Sequence, residues 1–215
     1  MTELYLLSPP RIDDLPAFAD RLAQVLDAVP VAAFQLRLKP DDGLAEDSVV
    51  VQAARAIFHL LREAGTLAIL NDSAPLAARL GADGVHLGQG DGSVAEARDL
   101  LGEAVVGVTC HASKDLAFAA ARDGADYVAF GAFFPTPTKT PPSVAKPELL
   151  EWWNEAMTLP SVAIGGITPD NAATLVDAGA DFLAVSSGVW DWPEGPVSSA
   201  RSLWEACRRS PKPPA

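Results

Sequence analysis

Hydrophobic and polar positions follow two alternating patterns along the chain. Short apolar runs rich in β-favouring residues are each followed by a longer run with helical spacing of apolar residues. This alternation is typical of parallel strands joined by crossover helices. Strands are predicted at Glu3–Leu7, Ala33–Leu38, Thr66–Leu70, Gly84–Leu87, Val105–Val108, Tyr127–Gly131, Ser161–Ile164 and Phe182–Val185.

Eight helical runs complete the pattern. They are predicted at Leu15–Ala28, Ser48–Ala64, Ala74–Leu80, Val94–Leu101, Lys114–Asp123, Pro147–Met157, Pro169–Asp177 and Val197–Arg208. Eight strand-helix alternations predict a single-domain (β/α)8 TIM barrel over residues 1–209, and 215 residues with 49% apolar content suit that fold. Residues 210–215, S-P-K-P-P-A, offer little apolar surface and are predicted to form a disordered tail.

Three similar joins lead from a helix to the next strand: L-G-A-D-G-V-H, D-G-A-D-Y-V and D-A-G-A-D-F-L. Their glycines, Gly81, Gly124 and Gly179, suit the left-handed position that ends a helix. These glycines are therefore predicted to be structural.

Charge and cysteine content limit the possible partners. A formal charge of −12 opposes a general nucleic-acid or anionic-membrane surface, since such binding depends on clustered Lys and Arg. Cys110 and Cys207 have no paired spacing, and neither a signal peptide nor a membrane helix is visible. We therefore expect a cytoplasmic protein with small-molecule partners.

The outer-helix aromatics Trp152 and Trp153 are predicted to pack into the core. They also hint at a homo-oligomer.

Two cations and an amide share one face of the second predicted strand. Side chains alternate along a strand, so Gln35, Arg37 and Lys39 point one way while Phe34 and Leu36 point the other. A half-exposed edge strand would give the same alternation.

An apolar strand also runs directly into the loop F-P-T-P-T-K-T, which offers Thr136, Thr138 and Lys139. An ordinary surface loop has a similar composition. Because this loop follows a strand, where barrel enzymes place their chemistry, it is a candidate anion site.

Two carboxylates, Asp72 and Asp91, follow neighbouring predicted strands. Mg²⁺ takes one or two protein carboxylates and completes its shell with substrate phosphate and water, so a metal-bound diphosphate would fit here. Taken singly, Asp72 could instead be a helix N-cap and Asp91 a turn residue.

A second candidate anion site lacks a lysine. Gly165 and Gly166 let backbone N–H groups approach an anion, and Ser186 with Ser187 could complete a phosphate cradle. The two sites together suggest two phosphate-bearing ligands, one of which loses diphosphate when the other attacks it.

The motifs Q-L-R-L-K, I-L-N-D, G-A-D-G-V-H-L-G-Q-G-D, F-P-T-P-T-K and V-A-I-G-G-I-T, in this order, resemble the thiamine phosphate synthase family across nearly the whole chain. The resemblance implies a transferase of thiamine biosynthesis that joins 4-amino-2-methyl-5-pyrimidinylmethyl diphosphate to thiazole phosphate, or its carboxylate, and releases diphosphate. It implies Mg²⁺ at Asp72 and Asp91. It also implies that Gln35, Arg37, Lys39, Asn71 and Lys139 hold the pyrimidine diphosphate, and that Thr136, Thr138, Gly165, Gly166, Ser186 and Ser187 face the thiazole phosphate.

The resemblance also implies catalytic roles for Arg37, Lys39, Lys139 and Thr109. Thr109 stands where the family usually has serine, and Ser73 where it usually has arginine. His111 occupies the place of a proton-transfer histidine in the related thiazole tautomerases, and a hydrogen-bonded loop histidine is the alternative. His59 and His86 are interpreted as structural. A tautomerase and a non-catalytic sensor of thiamine phosphate or its precursors remain alternative functions.

Overall fold

Eight parallel strands close into a barrel in the computed structural model, which describes residues 1–40, 43, 45–136 and 143–209. Each strand pairs with its neighbours in chain order, and β1 closes the barrel against β8. The strands are β1 Glu3–Leu7, β2 Ala33–Leu36, β3 Leu67–Asn71, β4 Gly84–Leu87, β5 Val105–His111, β6 Tyr127–Gly131, β7 Ser161–Ile164 and β8 Phe182–Val185. The predicted barrel is confirmed.

Helices follow the strands. They are α1 Leu15–Ala28, α2 Asp47–Ala64, α3 Ala74–Leu80, α4 Val94–Leu101, α5 Lys114–Arg122, α6 Glu148–Ala156, α7 Ala172–Asp177, α8 Ser187–Trp190 and α9 Pro196–Cys207. The sequence interpretation missed α8, a single turn that begins directly after β8. The predicted tail, 210–215, lies outside the described residues. No helix in the described ranges combines the length and apolarity that a membrane span needs.

Alternation along each strand separates the apolar side chains into two cores. Outward residues such as Phe34 and Leu36 of β2 pack against the helices, together with the fully buried Phe18 of α1. Inward residues, including Tyr5 of β1 and Tyr127 of β6, fill the barrel. The edge-strand alternative for β2 is therefore wrong, because β2 pairs with β1 on one side and β3 on the other.

The three helix-to-strand joins work as predicted. Gly81, Gly124 and Gly179 adopt φ values of 63°, 87° and 87°. The aspartate of each join accepts a hydrogen bond from the backbone N–H at the start of the preceding strand: Asp83 from Ala68, Asp126 from Val106 and Asp181 from Ser161, at 2.7–2.8 Å. These carboxylates fix the register at the amino ends of the strands, away from the candidate site.

The tryptophans pack as predicted. Trp153 of α6 is fully buried and donates its indole N–H to the carbonyl of Leu159. The Lys114 ammonium lies over the Trp152 ring, 3.7 Å from the ring centre. Neither lines the pocket described next.

Candidate active site

A pocket of about 430 Å³ lies at the carboxyl ends of the strands. It is lined by twelve of the residues predicted from the sequence: Gln35, Arg37, Lys39, Asn71, Asp72, Asp91, Thr109, Thr136, Gly165, Gly166, Ser186 and Ser187. Thr138 and Lys139 lie outside the described residues. Parallel strands bring these positions together because all eight carboxyl ends emerge at one face of the barrel.

Opposite charges meet on one wall of this pocket. The Lys39 ammonium lies 2.7 Å from a carboxylate oxygen of Asp72. Burial lowers the pKa of the Arg37 guanidinium from its ordinary value, while the nearby Asp72 carboxylate opposes that change. Both Arg37 and Lys39 are only partly exposed, so the wall is a preformed cationic surface that is partly shielded from water.

Asp72 itself is held in a conformation that most residues avoid. Its φ is 68°, and its backbone N–H donates to the carbonyl of His86 on the neighbouring strand, at 2.8 Å. The N-cap of α3 is the next residue, Ser73, whose hydroxyl accepts from the Leu76 N–H at 3.3 Å. The N-cap alternative for Asp72 is thus wrong, and its carboxylate faces the pocket.

The second carboxylate closes a turn and also faces the pocket. The Asp91 carboxylate accepts a hydrogen bond from the Gly88 N–H at 2.9 Å, so the interpretation of Asp91 as a turn residue is correct. A Cβ on Gly88 would lie 2.6 Å from this carboxylate oxygen, so a side chain at this position would require the Asp91 carboxylate to move. Burial is the main cause that raises the pKa of Asp72. The nearby Asp91 carboxylate raises it further, and the Lys39 ammonium opposes the rise.

A glycine-lined concavity forms another wall. Gly165 and Gly166 have φ values of 102° and 66°, and a Cβ on Gly166 would lie 2.3 Å from the carbonyl oxygen of Pro135. Asn171 braces this turn, since its side-chain amide donates to the Gly166 carbonyl and its side-chain oxygen accepts the Thr168 N–H, both at 2.9 Å. The backbone is therefore exposed to the pocket in a fixed shape.

The serines after β8 are tied to the first strand. Ser186 donates its hydroxyl to the carbonyl of Ser8 at 2.9 Å, and Ser187 is the first residue of α8. Ser8 in turn exchanges hydrogen bonds with the backbone of Arg37, accepting its N–H at 2.9 Å and donating to its carbonyl at 3.0 Å. Ser8 thus links the cationic wall to the serines, a role the sequence interpretation missed.

The floor of the pocket is a hydrogen-bonded group of buried polar side chains. Gln35 donates to the Tyr5 hydroxyl, which lies 2.9 Å from the Tyr127 hydroxyl. His86 contacts Tyr127 through Nδ1 at 2.9 Å and Thr109 through Nε2 at 2.7 Å. Burial is the main cause that lowers the pKa of His86 to about 4. The interpretation of His86 as structural is incomplete, because this neutral imidazole also lines the pocket.

His111 also lines the pocket. It has a φ of 53° and follows a register irregularity between β5 and β6. Its position in the pocket agrees with either sequence interpretation, so its role stays a prediction. Gln89, in the loop after β4, also lines the pocket and donates to the Thr109 carbonyl.

Fold and site together define a (β/α)8 barrel enzyme whose pocket sets a cationic, carboxylate-bearing wall beside a glycine-lined wall. The family model for thiamine monophosphate synthase matches residues 4–189. The chain belongs to this family, and the predicted family, fold and transferase class are confirmed.

Curated relatives and a solved structure agree with this family assignment. Thiamine-phosphate synthase from Hyphomonas neptunium is 52% identical over 203 residues, covering 94% of this chain and 92% of the relative. The Rhodospirillum centenum thiamine-phosphate synthase is 54% identical over 197 residues, covering 91% of this chain and 93% of the relative. The structure of thiamine phosphate pyrophosphorylase from Pyrococcus furiosus superposes with a TM-score of 0.82 at 28% identity, covering 95% of each chain.

Proposed function

We propose that this barrel couples 4-amino-2-methyl-5-pyrimidinylmethyl diphosphate to thiazole phosphate, or its carboxylate, giving thiamine phosphate and diphosphate. The observation that supports this best is the convergence of Arg37, Lys39, Asp72 and Asp91 in one pocket with the Gly165–Gly166 turn. A reaction with two phosphate-bearing substrates needs two such walls.

The diphosphate is assigned to the cationic wall. Arg37 and Lys39, with Lys139 from the loop after β6, would bind its oxygens and stabilise the charge that develops as it departs. Preformed, partly buried cations are effective here because their interaction with that charge is screened less than it would be in bulk water.

The carboxylates fit Mg²⁺. Among the described residues no group of three His, Cys, Asp or Glu side chains is placed to hold a metal ion by itself. Asp72 and Asp91 face the same pocket, where a substrate phosphate would lie beside them. Two carboxylates with substrate phosphate and water are an ordinary Mg²⁺ shell. When bound, the ion would supply electrostatic stabilisation of the leaving diphosphate.

The thiazole phosphate is assigned to the glycine-lined wall. Backbone N–H groups at Gly165 and Gly166 can approach an anion closely because neither residue carries a Cβ. Thr136, Thr138, Ser186 and Ser187 would complete the cradle with hydroxyls. A phosphate held there carries the nucleophilic ring toward the pyrimidine.

The pyrimidine is assigned to the space between the walls, against Gln35, Asn71 and Thr109. Breaking the C–O bond to diphosphate leaves a methylene cation that the electron-rich aminopyrimidine delocalises. The thiazole nitrogen then supplies the electron pair for the new C–N bond, so no general base is required. A pocket that orients both rings supplies much of the rate enhancement.

A tautomerase would need neither the carboxylate pair nor the cations that the pocket retains, and a sensor would bind without turnover. The proposed setting is the cytoplasm, where the buried and unpaired Cys110 and Cys207 remain thiols. Self-association through the outer-helix aromatics stays a prediction.

The decisive test is thiamine phosphate formation from the two substrates with Mg²⁺ and with EDTA. We expect product only with the metal, and we expect Asp91→Ala and Lys139→Ala to abolish coupling while the barrel stays folded by circular dichroism. Tight ligand binding without product would support the sensor or tautomerase instead. Unchanged coupling in both folded variants would remove the diphosphate assignment.

A further inference from the structure

A continuous chain of hydrogen bonds crosses the floor of the pocket from one wall to another. It runs from the Gln35 amide through the hydroxyls of Tyr5 and Tyr127 to the His86 imidazole and the Thr109 hydroxyl, with every step at 2.7–2.9 Å. Its two ends, Gln35 and Thr109, line the pocket, while Tyr5 and Tyr127 lie beneath them in the barrel core. Neither tyrosine touches the pocket, yet both connect its polar groups.

Space for this chain is made by a glycine. A Cβ on Gly107 would lie 1.9 Å from the ring carbon of Tyr127 that bears the hydroxyl. The Tyr127 ring also stacks on His86, with 5.6 Å between ring centres and planes 20° apart. The phenol and the imidazole are thus held in one arrangement.

The direction of the chain follows from counting protons. Burial raises the pKa of Tyr5 to about 12 and that of Tyr127 well above its ordinary value, so each hydroxyl keeps one proton. Tyr5 accepts from Gln35 and, within the described ranges, has only the Tyr127 oxygen to receive its own proton. Tyr127 must then donate to Nδ1 of His86.

The same count fixes the far end. Because Nδ1 accepts the hydrogen bond from Tyr127, it carries no proton, and the imidazole keeps a single ring proton. With Nδ1 accepting, that proton sits on Nε2 and is donated to the Thr109 hydroxyl oxygen. The Thr109 proton is left to point elsewhere, and the Gln35 side-chain oxygen accepts no hydrogen bond from any other described residue.

We propose that Tyr5, Tyr127 and His86 are positioning residues that fix the polarity of this chain, so that the pocket offers an acceptor at Gln35 and a donor at Thr109. This inference deepens the proposed function and rests on it. A 4-aminopyrimidine presents the complement, an exocyclic amine that donates and a ring nitrogen that accepts. A 4-oxopyrimidine has a carbonyl in place of the amine and a proton on the adjacent ring nitrogen, while its other ring nitrogen still accepts, so at least the Gln35 acceptor is left unmatched.

The first test observes the tautomer directly. The chain has three histidines, so ¹⁵N-histidine spectra can be assigned by comparison with His86→Gln. We expect the His86 signals of the wild type to show Nε2 protonated and Nδ1 unprotonated at neutral pH, and the Tyr127→Phe variant to lose this single state. A wild type with Nδ1 protonated overturns the inference, since the chain would then run the other way.

The second test measures discrimination in binding. Dissociation constants of the 4-amino and the 4-oxo pyrimidinylmethyl diphosphates are compared by calorimetry without thiazole phosphate, in the wild type, Tyr5→Phe and Tyr127→Phe. We expect the preference for the amino compound to fall about tenfold or more in each variant, because unmatched buried polar groups are what reject the wrong isostere. The control is Thr66→Val, which removes a buried hydroxyl that donates to the Val31 carbonyl at the amino end of the barrel.

The outcomes separate this inference from the function on which it rests. Wild-type preference retained in both folded phenylalanine variants overturns the positioning role. Equal losses in Thr66→Val would assign the effect to general destabilisation and overturn it as well. A wild type that binds neither diphosphate overturns the proposed function and the ligand match together, whereas tight amino binding with the opposite tautomer overturns this inference and leaves the proposed function standing.

Discussion

Replacing Gly166 by alanine tests the phosphate assignment with a built-in control. A Cβ at this position would lie 2.3 Å from the Pro135 carbonyl oxygen and 2.7 Å from that of Phe134, at a φ of 66°. Gly81 has nearly the same φ, 63°, but its Cβ would meet nothing within 4 Å, and it lies at the opposite end of the barrel. The two variants share backbone strain and differ in the clash.

The size of each effect can be worked out. An L-residue in the left-handed region costs about 1–2 kcal/mol. For a chain of this size, 1 kcal/mol lowers Tm by about 2–4 °C, so we expect Gly81→Ala to lose about 2–8 °C without a kinetic change. In Gly166→Ala, relief of the contact from 2.3 Å to 3.0 Å also displaces the cradle by about 0.7 Å. Misplacement near 1 Å costs about 100-fold in rate.

Steady-state kinetics with each substrate varied in turn provides the assay. We expect Gly166→Ala to lower kcat/KM for thiazole phosphate about 10- to 100-fold and to leave the KM for the pyrimidine diphosphate near the wild-type value, because only one wall moves. If Gly166→Ala had the same kcat/KM for thiazole phosphate as Gly81→Ala, the phosphate would not bind at this turn and the reasoning would be refuted.

Four further outcomes are expected, from three variants. Asp72→Asn should lower kcat about 100- to 1000-fold, on the scale of losing one transition-state electrostatic group. Because burial raises the pKa of Asp72 in the fold, its ionised form is disfavoured there. The stability of the wild type relative to Asp72→Asn should therefore fall as pH rises from the ordinary carboxylate pKa through the raised pKa in the fold, and a difference that stays constant or grows over this range by calorimetry would contradict this. Asp181→Ala leaves the buried Ser161 N–H without its acceptor and should cost about 1–3 kcal/mol in urea unfolding with kcat unchanged; an altered kcat at wild-type stability would show that the reasoning is wrong. Trp153→Ala should cost about 3–5 kcal/mol by the same measurement, and a loss below 1 kcal/mol would show that α6 repacks.

Local pattern was enough to predict the fold. Strand bounds at Glu3–Leu7, Gly84–Leu87 and Ser161–Ile164 agree with the structure, because a buried parallel strand is a short apolar run that ends at a polar or glycine residue. The one-turn helix Ser187–Trp190 was missed, since four residues carry no helical periodicity. Candidate site residues such as Asp72 were also found from sequence, because strand ends in a barrel meet at one face.

The surroundings of Asp72 were decided by the tertiary structure. The sequence alone does not decide whether Asp72 or Ser73 caps α3, since both residue types cap helices. In the structure Ser73 is the N-cap, and the Asp72 carboxylate faces the pocket and pairs with Lys39. The Lys39–Asp72 pair joins residues from different strand ends, and no local spacing encodes that distance.

The floor of the pocket was likewise invisible in the sequence. Tyr5 and Tyr127 are 122 positions apart, and each is an ordinary strand residue when considered alone. Only closure of the barrel places their hydroxyls 2.9 Å apart beneath His86, in a space that Gly107 leaves open. The sequence by itself therefore determined the barrel and the residues at its mouth, whereas the direction and partners of their hydrogen bonds arise from contacts between distant strands.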